Sequence, residues 1–218
     1  MDCIKITVSD VDIIGKSGCG KSTLLRLMTG IELPDEGLLT INNCVVDKRT
    51  IKDFQKKIGI VFQQHNLFPH LSILKNITLI LEKTKGYTKA EAKEKASILL
   101  EKLHLKDEIL KKPPFISGGQ AQRASIARAL STDPEMLFLD EPTAALDPIL
   151  TSEVLDAILE LKAQGIKFVF VTHEISFVKK FADYVVFMDE GKIVEEGKVE
   201  ILDNPKSTLL KSFMNQVI

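Results

Sequence analysis

The most chemically informative residues lie near the amino terminus, in a glycine-rich stretch between a short apolar strand and a helix. The strand is predicted over Val11–Ile14, and apolar residues at helical spacing predict a helix that ends at Gly30. The stretch between them reads Gly15-Lys16-Ser17-Gly18-Cys19-Gly20-Lys21-Ser22, and Thr23 follows. Glycines let backbone N–H groups turn toward an anion, and the start of a helix adds partial positive charge. The pattern G-x-x-x-x-G-K-[ST] in this context predicts a phosphate-binding loop.

Two side chains of this loop have predicted roles with a nucleoside triphosphate. Lys21 would reach the β- and γ-phosphates, and the hydroxyl of Ser22 would bind Mg²⁺. The remainder of Gly15–Thr23 would form the phosphate cradle. Cys19 lies inside the loop, where a small side chain fits, so we interpret it as a spacer; sensitivity to oxidation is the alternative.

Two acids follow a second apolar strand, which is predicted over Met136–Leu139. Carboxylates at the end of such a strand lie where open α/β sheets bind their ligands. Asp140 is predicted to hold Mg²⁺, and Glu141 is predicted to act as the general base that polarises the attacking water. A strand that ends in two acids is commonplace by itself. Together with the phosphate-binding loop, it predicts a nucleotide hydrolase or a kinase.

A third motif separates these two classes. Ser117-Gly118-Gly119-Gln120 resembles the LSGGQ signature of ABC-type ATPases, with Ile116 in place of the usual leucine. A Ser-Gly-Gly turn at the start of a helix can bind an anion, although it can also simply cap the helix. The resemblance implies that Ser117, Gly118, Gly119 and Gln120 contact the γ-phosphate held by the opposite protomer of a dimer.

The other landmarks of the family follow in order along the chain. The resemblance implies that Gln63 senses the metal and the water, that Asp147 acts across the dimer, and that His173 contacts the γ-phosphate. It also implies that the Gln63–His70 region meets transmembrane permease subunits; an ordinary proline-containing loop is the alternative. The remaining histidines are expected on the surface: His65, His70 and His104.

The order of the predicted elements defines a fold class. Apolar strands without polar alternation favour a parallel sheet that is covered on both faces. The resemblance implies an α/β fold with a P-loop NTPase (RecA-like) core, a mostly parallel sheet, a small and truncated antiparallel β subdomain, and an inserted helical subdomain. We assign residues 1–70 and 131–218 to the catalytic core with the β subdomain, and residues 71–130 to the helical subdomain that carries the signature.

Composition limits the partners. The net charge of −1 gives no basic field, so no nucleic-acid partner is expected. The apolar runs are far shorter than the roughly 20 residues of a membrane-spanning helix, so any membrane-spanning role belongs to another chain. The three cysteines match neither a metal site nor a disulfide framework, which favours a cytoplasmic protein. The resemblance then implies a peripheral position on the inner face of the cell membrane.

The beginning of the chain departs from the family pattern. Family members place an adenine-stacking aromatic residue upstream of the phosphate loop, whereas none of the fourteen residues before Gly15 is aromatic. Ile4–Val8 is interpreted as the remnant of a strand. Three interpretations remain open: a shortened start, a different stacking partner, or weak nucleotide binding. Loss of one aromatic stacking contact would lower affinity by about tenfold.

The combined prediction is an ATP-binding, ATP-hydrolysing subunit that works with Mg²⁺ in a homodimer or paired with another ATPase subunit. Two stretches are most similar in sequence to subunits that energise the import of polar amino acids: Val171-Thr172-His173-Glu174 and residues 187–197. Two alternatives are a soluble ABC-type ATPase that is not coupled to transport, and a hydrolysis-impaired subunit of a membrane complex.

Overall fold

Runs of Val, Ile and Phe form the central strands, because β-branched and aromatic side chains pack well on a buried pleated surface. The computed structural model describes residues 3–6, 10–41 and 44–217. Its strands are β1 (Cys3–Ile6), β2 (Val11–Gly15), β3 (Leu38–Ile41), β4 (Cys44–Val45), β5 (Ile58–Val61), β6 (Met136–Asp140), β7 (Lys167–Val171), β8 (Tyr184–Asp189) and β9 (Lys192–Lys198).

Eight α-helices connect or cover these strands in the described ranges. They are α1 (Lys21–Met28), α2 (Ile51–Gln55), α3 (Ile73–Thr84), α4 (Lys89–Lys102), α5 (Gly118–Leu130), α6 (Pro148–Ala163), α7 (Ile175–Phe181) and α8 (Thr208–Val217). Within the part of the chain that the structure describes, no helix is both long and apolar enough to cross a membrane.

The larger sheet has six strands in the order β5-β6-β7-β2-β8-β9. Strand β2 is parallel to both of its neighbours, so that Ile13 pairs with Val171 of β7 and with Val186 of β8. Strand β9 runs antiparallel to β8. Their connecting turn places Glu190 at φ 46° and Gly191 at φ 77°, which matches the right-handed twist of a hairpin. The predicted α/β fold with a mostly parallel sheet is confirmed.

The smaller sheet contains β1, β3 and β4. The apolar stretches on either side of Asn42-Asn43 predict a hairpin, and β3 and β4 do pair antiparallel with Ile41 opposite Cys44. The predicted turn at Asn42-Asn43 lies outside the described residues. Strand β1 pairs in parallel with β3, and so forms part of the strand predicted over Ile4–Val8. The last two residues of that prediction, Thr7 and Val8, lie outside the described part of the chain.

The chain divides into two compact units. The first unit contains Met1–Ile58, Phe138–Glu141 and Lys167–Ile218, and the second contains Gly59–Leu137 and Pro142–Ile166. The sequence-based boundaries of the catalytic core (1–70 and 131–218) and of the helical subdomain (71–130) stay a prediction.

Aromatic side chains fill much of the core of the first unit. Phe177 stacks on Phe181 with ring centroids 4.8 Å apart, and Phe168 meets Phe181 edge-on at 5.3 Å. A second cluster forms where the C-terminal helix α8 covers β8, with Phe213 5.3 Å from Phe187. Helix α8 buries Leu210, Phe213 and Met214, which recur at the spacing of one helix face.

In the second unit, side-chain caps set the starts of the helices. Ser72 caps α3, and Thr88 and Glu91 form a capping box at α4, as the pattern Thr88-Lys89-Ala90-Glu91 predicts. Ser117 and Gln120 form another capping box at α5. Because each cap satisfies backbone N–H groups that have no partner inside the helix, the polar sequence of these turns fixes where each helix begins.

We predict that the docking of α8 is a major source of stability. Phe213→Ala should lower the free energy of unfolding by about 3–5 kcal/mol, because it leaves a cavity against Phe187. Leu209→Ala, on the same helix but 45% exposed, is the matched control and should cost less than about 1 kcal/mol. Urea unfolding measures both values; equal losses would contradict the packing.

Candidate active site

The loop between β2 and α1 has a backbone that only glycine adopts readily. Gly18 has φ 77° and Gly20 has φ 102°, both in the left-handed region. Gly20 is the N-cap of α1, and no side chain of the described residues makes a cap hydrogen bond there. The first N–H groups of α1 are therefore available to an anion, as the phosphate-loop pattern requires.

The loop rests on the hairpin between β8 and β9. A Cβ atom on Gly15 would lie 2.3 Å from the carbonyl oxygen of Met188, and one on Gly20 would lie 3.6 Å from Cα of Gly191. The N–H of Gly191 donates to the carbonyl of Cys19 at 2.9 Å. The segment Asp189-Glu190-Gly191 predicts the hairpin turn. Its contact with the loop cannot be predicted in this way, because the two segments are far apart in the chain.

Lys21 places a buried cation inside the loop. Its side chain is only 4% exposed, and Nζ donates to the carbonyls of Gly15 at 3.0 Å and Lys16 at 2.9 Å. The same Nζ lies 3.8 Å from Oε1 of Glu141. The predicted phosphate-binding lysine and the predicted general base therefore face the same place within the first unit.

Ser22 and Asp140 meet beside this lysine. The Ser22 hydroxyl donates to Oδ1 of Asp140 at 3.0 Å. Burial and the negative charge of Glu141 raise the pKa of Asp140, although the Ser22 hydrogen bond acts in the opposite direction. Two adjacent carboxylates with a hydroxyl beside them suit a hard divalent cation. The oxygen donors fit Mg²⁺, which commonly takes one or two protein carboxylates together with phosphate oxygens and water.

Glu141 contacts the residues at the end of β7 through both its side chain and its backbone. His173 Nε2 lies 2.7 Å from Oε1 of Glu141. The N–H of Glu141 donates to the carbonyl of Val171 at 2.8 Å, and Glu141 has φ 44°. A left-handed conformation is costly for a residue other than glycine and is typical of functional sites. The residue types around Glu141 do not predict this backbone conformation.

The signature segment Ser117–Gln120 lies in the second unit and opens α5. The Ser117 hydroxyl accepts from the N–H of Gln120 at 3.2 Å, and the Gln120 side chain accepts from the N–H of Ser117 at 2.9 Å. A Cβ atom on Gly118 would lie 2.9 Å from Leu146, and one on Gly119 would lie 3.2 Å from Leu150. The two glycines thus allow the start of α6 to approach α5 closely. The predicted contact with a γ-phosphate stays a prediction.

Asp147 and Gln63 also belong to the second unit. The carboxylate of Asp147 caps α6 by accepting from the N–H groups of Ile149 and Leu150, each at 3.0 Å. Gln63 is exposed just after β5. The first unit therefore joins the residues from Gly15 to Thr23 with Asp140, Glu141 and His173, whereas the second unit holds the residues whose implied roles depend on a dimer or a sensing loop.

The expected surface position of the three other histidines holds for two of them. His70 and His104 are exposed, but His65 is partly buried and its ring Nδ1 is hydrogen-bonded to the side-chain oxygen of Gln122. Arg128 and Asn76 also contact this part of the chain and were not predicted as functional residues. No sequence motif marks these two helix residues, so their role can be recognised only from their contacts.

A phosphate loop whose lysine and serine face two acids at a strand end defines a P-loop nucleoside triphosphatase. The family model described as ABC transporter matches residues 9–144. The chain belongs to this family.

Solved structures support the same assignment. The chain is similar to the dimeric ATP-binding cassette MJ0796 bound to ADP and phosphate, with a TM-score of 0.77 and 33% identity, over 88% of this chain and 85% of the cassette. It is also similar to cbiO1 of Clostridium perfringens, part of an ABC transporter complex, with a TM-score of 0.80 and 29% identity, over 95% of this chain and 83% of cbiO1.

Curated relatives cover nearly the whole chain. The glutamate/aspartate import ATP-binding protein GltL of Escherichia coli K12 is 46% identical over 95% of this chain and 88% of GltL. The glutamine transport ATP-binding protein GlnQ of Bacillus subtilis is 44% identical, over 95% of this chain and 87% of GlnQ. The arginine transport ATP-binding protein ArtP of Haemophilus influenzae is 42% identical, over 94% and 87%.

We predict that Gly15 is less replaceable than Gly18. Gly15→Ala forces the loop away from the Met188 carbonyl, whereas a Cβ atom on Gly18 meets nothing within 4 Å. Gly18→Ala should therefore lower the free energy of unfolding only by the cost of a left-handed alanine, about 1–2 kcal/mol. Gly15→Ala should cost more than this and should also weaken ATP binding. Urea unfolding and titration with a fluorescent ATP analogue measure the two effects; equal stability losses would contradict the close contact.

Proposed function

We propose that the chain is the ATP-binding and ATP-hydrolysing subunit that energises an ABC transporter for polar amino acids. The observation that carries this proposal is the contact set of the first unit. Lys21 and His173 both approach Oε1 of Glu141, and Ser22 is bonded to Asp140. These contacts support a site that combines a cation for phosphate, a pair of oxygen ligands for a metal and an oriented general base.

Binding of the triphosphate falls to the loop Gly15–Thr23. The N–H groups at the start of α1 and the ammonium of Lys21 face the phosphates, and the geometry of Gly15 keeps the backbone close to β8. Such preorganised donors need little rearrangement when the anion binds. Ser22 and Asp140, with Gln63 as a further ligand, would hold Mg²⁺. When bound, Mg²⁺ supplies positive charge to the β- and γ-phosphate oxygens.

Hydrolysis is assigned to Glu141 and His173. The Glu141 carboxylate accepts a proton from water while the water oxygen bonds to the γ-phosphorus. The bond from that phosphorus to the bridging oxygen breaks, and ADP and inorganic phosphate leave. The His173 ring, 2.7 Å from Glu141, orients the carboxylate and contacts the γ-phosphate. Lys21 stabilises charge on the oxygens of the transferred group.

A second copy, or a paired ATPase subunit, would complete the site. The signature segment Ser117–Gln120 opens α5, where the N–H groups of Gly118 and Gly119 are not used by the capping box, and Asp147 is exposed at the neighbouring start of α6. Binding of an anion at this helix start would require a nucleotide held by a second copy or by the paired subunit. The dimeric state of the solved cassette MJ0796 supports this arrangement.

The Gln63–His70 region is proposed to meet the permease subunits at the inner, cytoplasmic face of the membrane. Phe68 is 43% exposed and forms an edge-on contact with His70 at 6.1 Å. An aromatic side chain that stays exposed on an ordered segment is a suitable anchor for a protein partner. The relatives GltL, GlnQ and ArtP serve glutamate/aspartate, glutamine and arginine, which supports a polar amino acid as the cargo.

Glu141→Gln should separate binding from hydrolysis. The amide keeps the size of the side chain but accepts no proton, so kcat for ATP should fall by about 10²–10⁴-fold, in the range of general-base catalysis. ATP should still bind, and dimers should accumulate in its presence. Glu94→Gln, an exposed acid on α4, is the control. Phosphate release measures the rate, and size-exclusion chromatography measures the dimer. An unaltered rate would show that Glu141 is not the general base.

Phe68→Ala should uncouple the subunit from its permease. In proteoliposomes that contain the permease and its solute-binding protein, the stimulation of ATPase activity by glutamate, glutamine or arginine should be lost, while the basal rate stays unchanged. Ile98→Ala removes a similarly exposed apolar side chain, 51% exposed, from the same unit and serves as the control. Undiminished stimulation in Phe68→Ala would show that the permease contact lies elsewhere. If no amino acid stimulates the unaltered chain, the proposed class of cargo is contradicted.

A further inference from the structure

The segment that follows Gln63 is tied to helix α5 by an arginine. Arg128 Nη1 donates to the carbonyl of Asn66 at 2.6 Å, and Nη2 donates to the carbonyl of His65 at 3.2 Å. The guanidinium fork therefore holds two successive carbonyls, which the single ammonium of a lysine does not match. Burial lowers the pKa of Arg128, and hydrogen bonds strengthen where water is partly excluded.

Gln122 adds a second tie between the same two segments. This glutamine is fully buried on α5, and its side-chain oxygen is hydrogen-bonded to Nδ1 of the His65 ring. Asn66 has φ 50°, a left-handed conformation that asparagine tolerates better than most residues. We call these contacts of Arg128 and Gln122 with His65 and Asn66 the α5 latch. The latch fixes both the backbone and one side chain of the segment.

Helix α3 holds the next part of the segment. Asn76 is fully buried; its Oδ1 accepts from the N–H of Phe68 at 2.7 Å, and its Nδ2 donates to the carbonyl of Phe68 at 3.2 Å and to that of Ser72 at 3.0 Å. The backbone of Phe68 is thereby fixed while its ring stays exposed. The segment from His65 to Phe68 is thus attached to the helices of the second unit by its main chain.

Gln63 lies between two fixed points. Strand β5 ends at Val61, and the α5 latch begins at His65. Gln63 itself is exposed, so its place is set by these flanks rather than by packing of its own side chain. Helix α5, which carries the latch, begins at the signature segment Ser117–Gln120.

We infer that Arg128 is a positioning residue for Gln63, and that the α5 latch makes the Gln63 loop and the signature helix move as one body. This inference rests on the proposed function, in which Gln63 and Ser117–Gln120 both serve the hydrolysis of ATP. A push on Phe68 is then passed along the segment to α5 through the hydrogen bonds of the Arg128 side chain with the carbonyls of His65 and Asn66, so that the proposed permease contact, the Gln63 loop and the signature helix are linked.

Two arginines of the same helix provide a matched pair for the test. Arg128→Lys keeps the charge but loses the fork across His65 and Asn66. Arg123→Lys keeps the charge of a buried arginine that is bonded to Glu153 of α6 at 3.0 Å, and it leaves the latch intact. Arg128→Lys should lower kcat roughly tenfold, the factor expected for loss of one charge-assisted hydrogen bond. KM for ATP should stay within about twofold, because the loop Gly15–Ser22 is unaltered. Arg123→Lys should retain both constants.

A double variant separates positioning from a general structural effect. If Arg128 acts through Gln63, then Arg128→Lys should lower kcat no further in a Gln63→Ala background, because residues that act as a unit are not additive. An unaltered kcat in Arg128→Lys overturns the inference. A tenfold loss that recurs undiminished in the Gln63→Ala background also overturns it.

Amide hydrogen exchange tests the latch without using ATP hydrolysis. In Arg128→Lys, exchange of residues 64–68 should accelerate roughly tenfold, whereas the core of α5 and strand β2 should keep their rates. Unaltered exchange of residues 64–68 overturns the latch. If the original chain hydrolyses no ATP, the proposed function fails, and the exchange rates still decide whether Arg128 holds this segment.

Discussion

The close approach of the phosphate loop to strand β8 is the steric constraint on which the active site depends. Only a hydrogen atom fits between Cα of Gly15 and the Met188 carbonyl, since a Cβ atom would lie 2.3 Å from that oxygen. This contact sets the direction in which the chain leaves β2, and therefore where α1 begins. The ammonium of Lys21 and the hydroxyl of Ser22 belong to the first turn of α1, so their positions depend on this contact. The same hairpin holds Cys19 through the N–H of Gly191, so the loop is braced at two places.

Charge organises the surroundings of this loop. Lys21 is buried among backbone carbonyls and lies near Glu141, whereas Asp140 and Glu141 repel one another and burial raises the pKa of Asp140. The protein thus concentrates carboxylates at one strand end at a cost in stability, which is typical of sites that gain a cation when they work. The left-handed backbone of Glu141 is a further cost, and the hydrogen bond to Val171 sustains it.

In the second unit, the signature segment Ser117–Gln120 and Asp147 lie at the starts of helices. Gly118 and Gly119 let the beginnings of α5 and α6 approach closely. The side chains of Arg128 and Asn76 fix the segment from His65 to Phe68 by its backbone. An exposed residue such as Gln63 can be placed accurately only if its flanks are rigid, because its own side chain has little packing to restrain it. Rigid attachment to two helices gives the segment this property, and it explains why fully buried polar residues occur in α3 and α5.

The resemblance of the motifs to a family implied the detailed fold class. The sequence by itself determined the strand–loop–helix around Gly15, the acidic strand end at Asp140 and the start of α5 at Ser117. These features depend on local periodicity, turn residues and caps, whose physics acts over a few neighbouring residues. Helix α8 was missed although its apolar spacing is visible, because its stability comes from packing on β8. Only the tertiary structure decided that Glu141 is strained against β7, that the β8–β9 hairpin supports the phosphate loop, and that Arg128 binds the carbonyls after Gln63. Each of these contacts joins segments that are distant in the chain, and the residue types alone do not reveal which partner lies beside them.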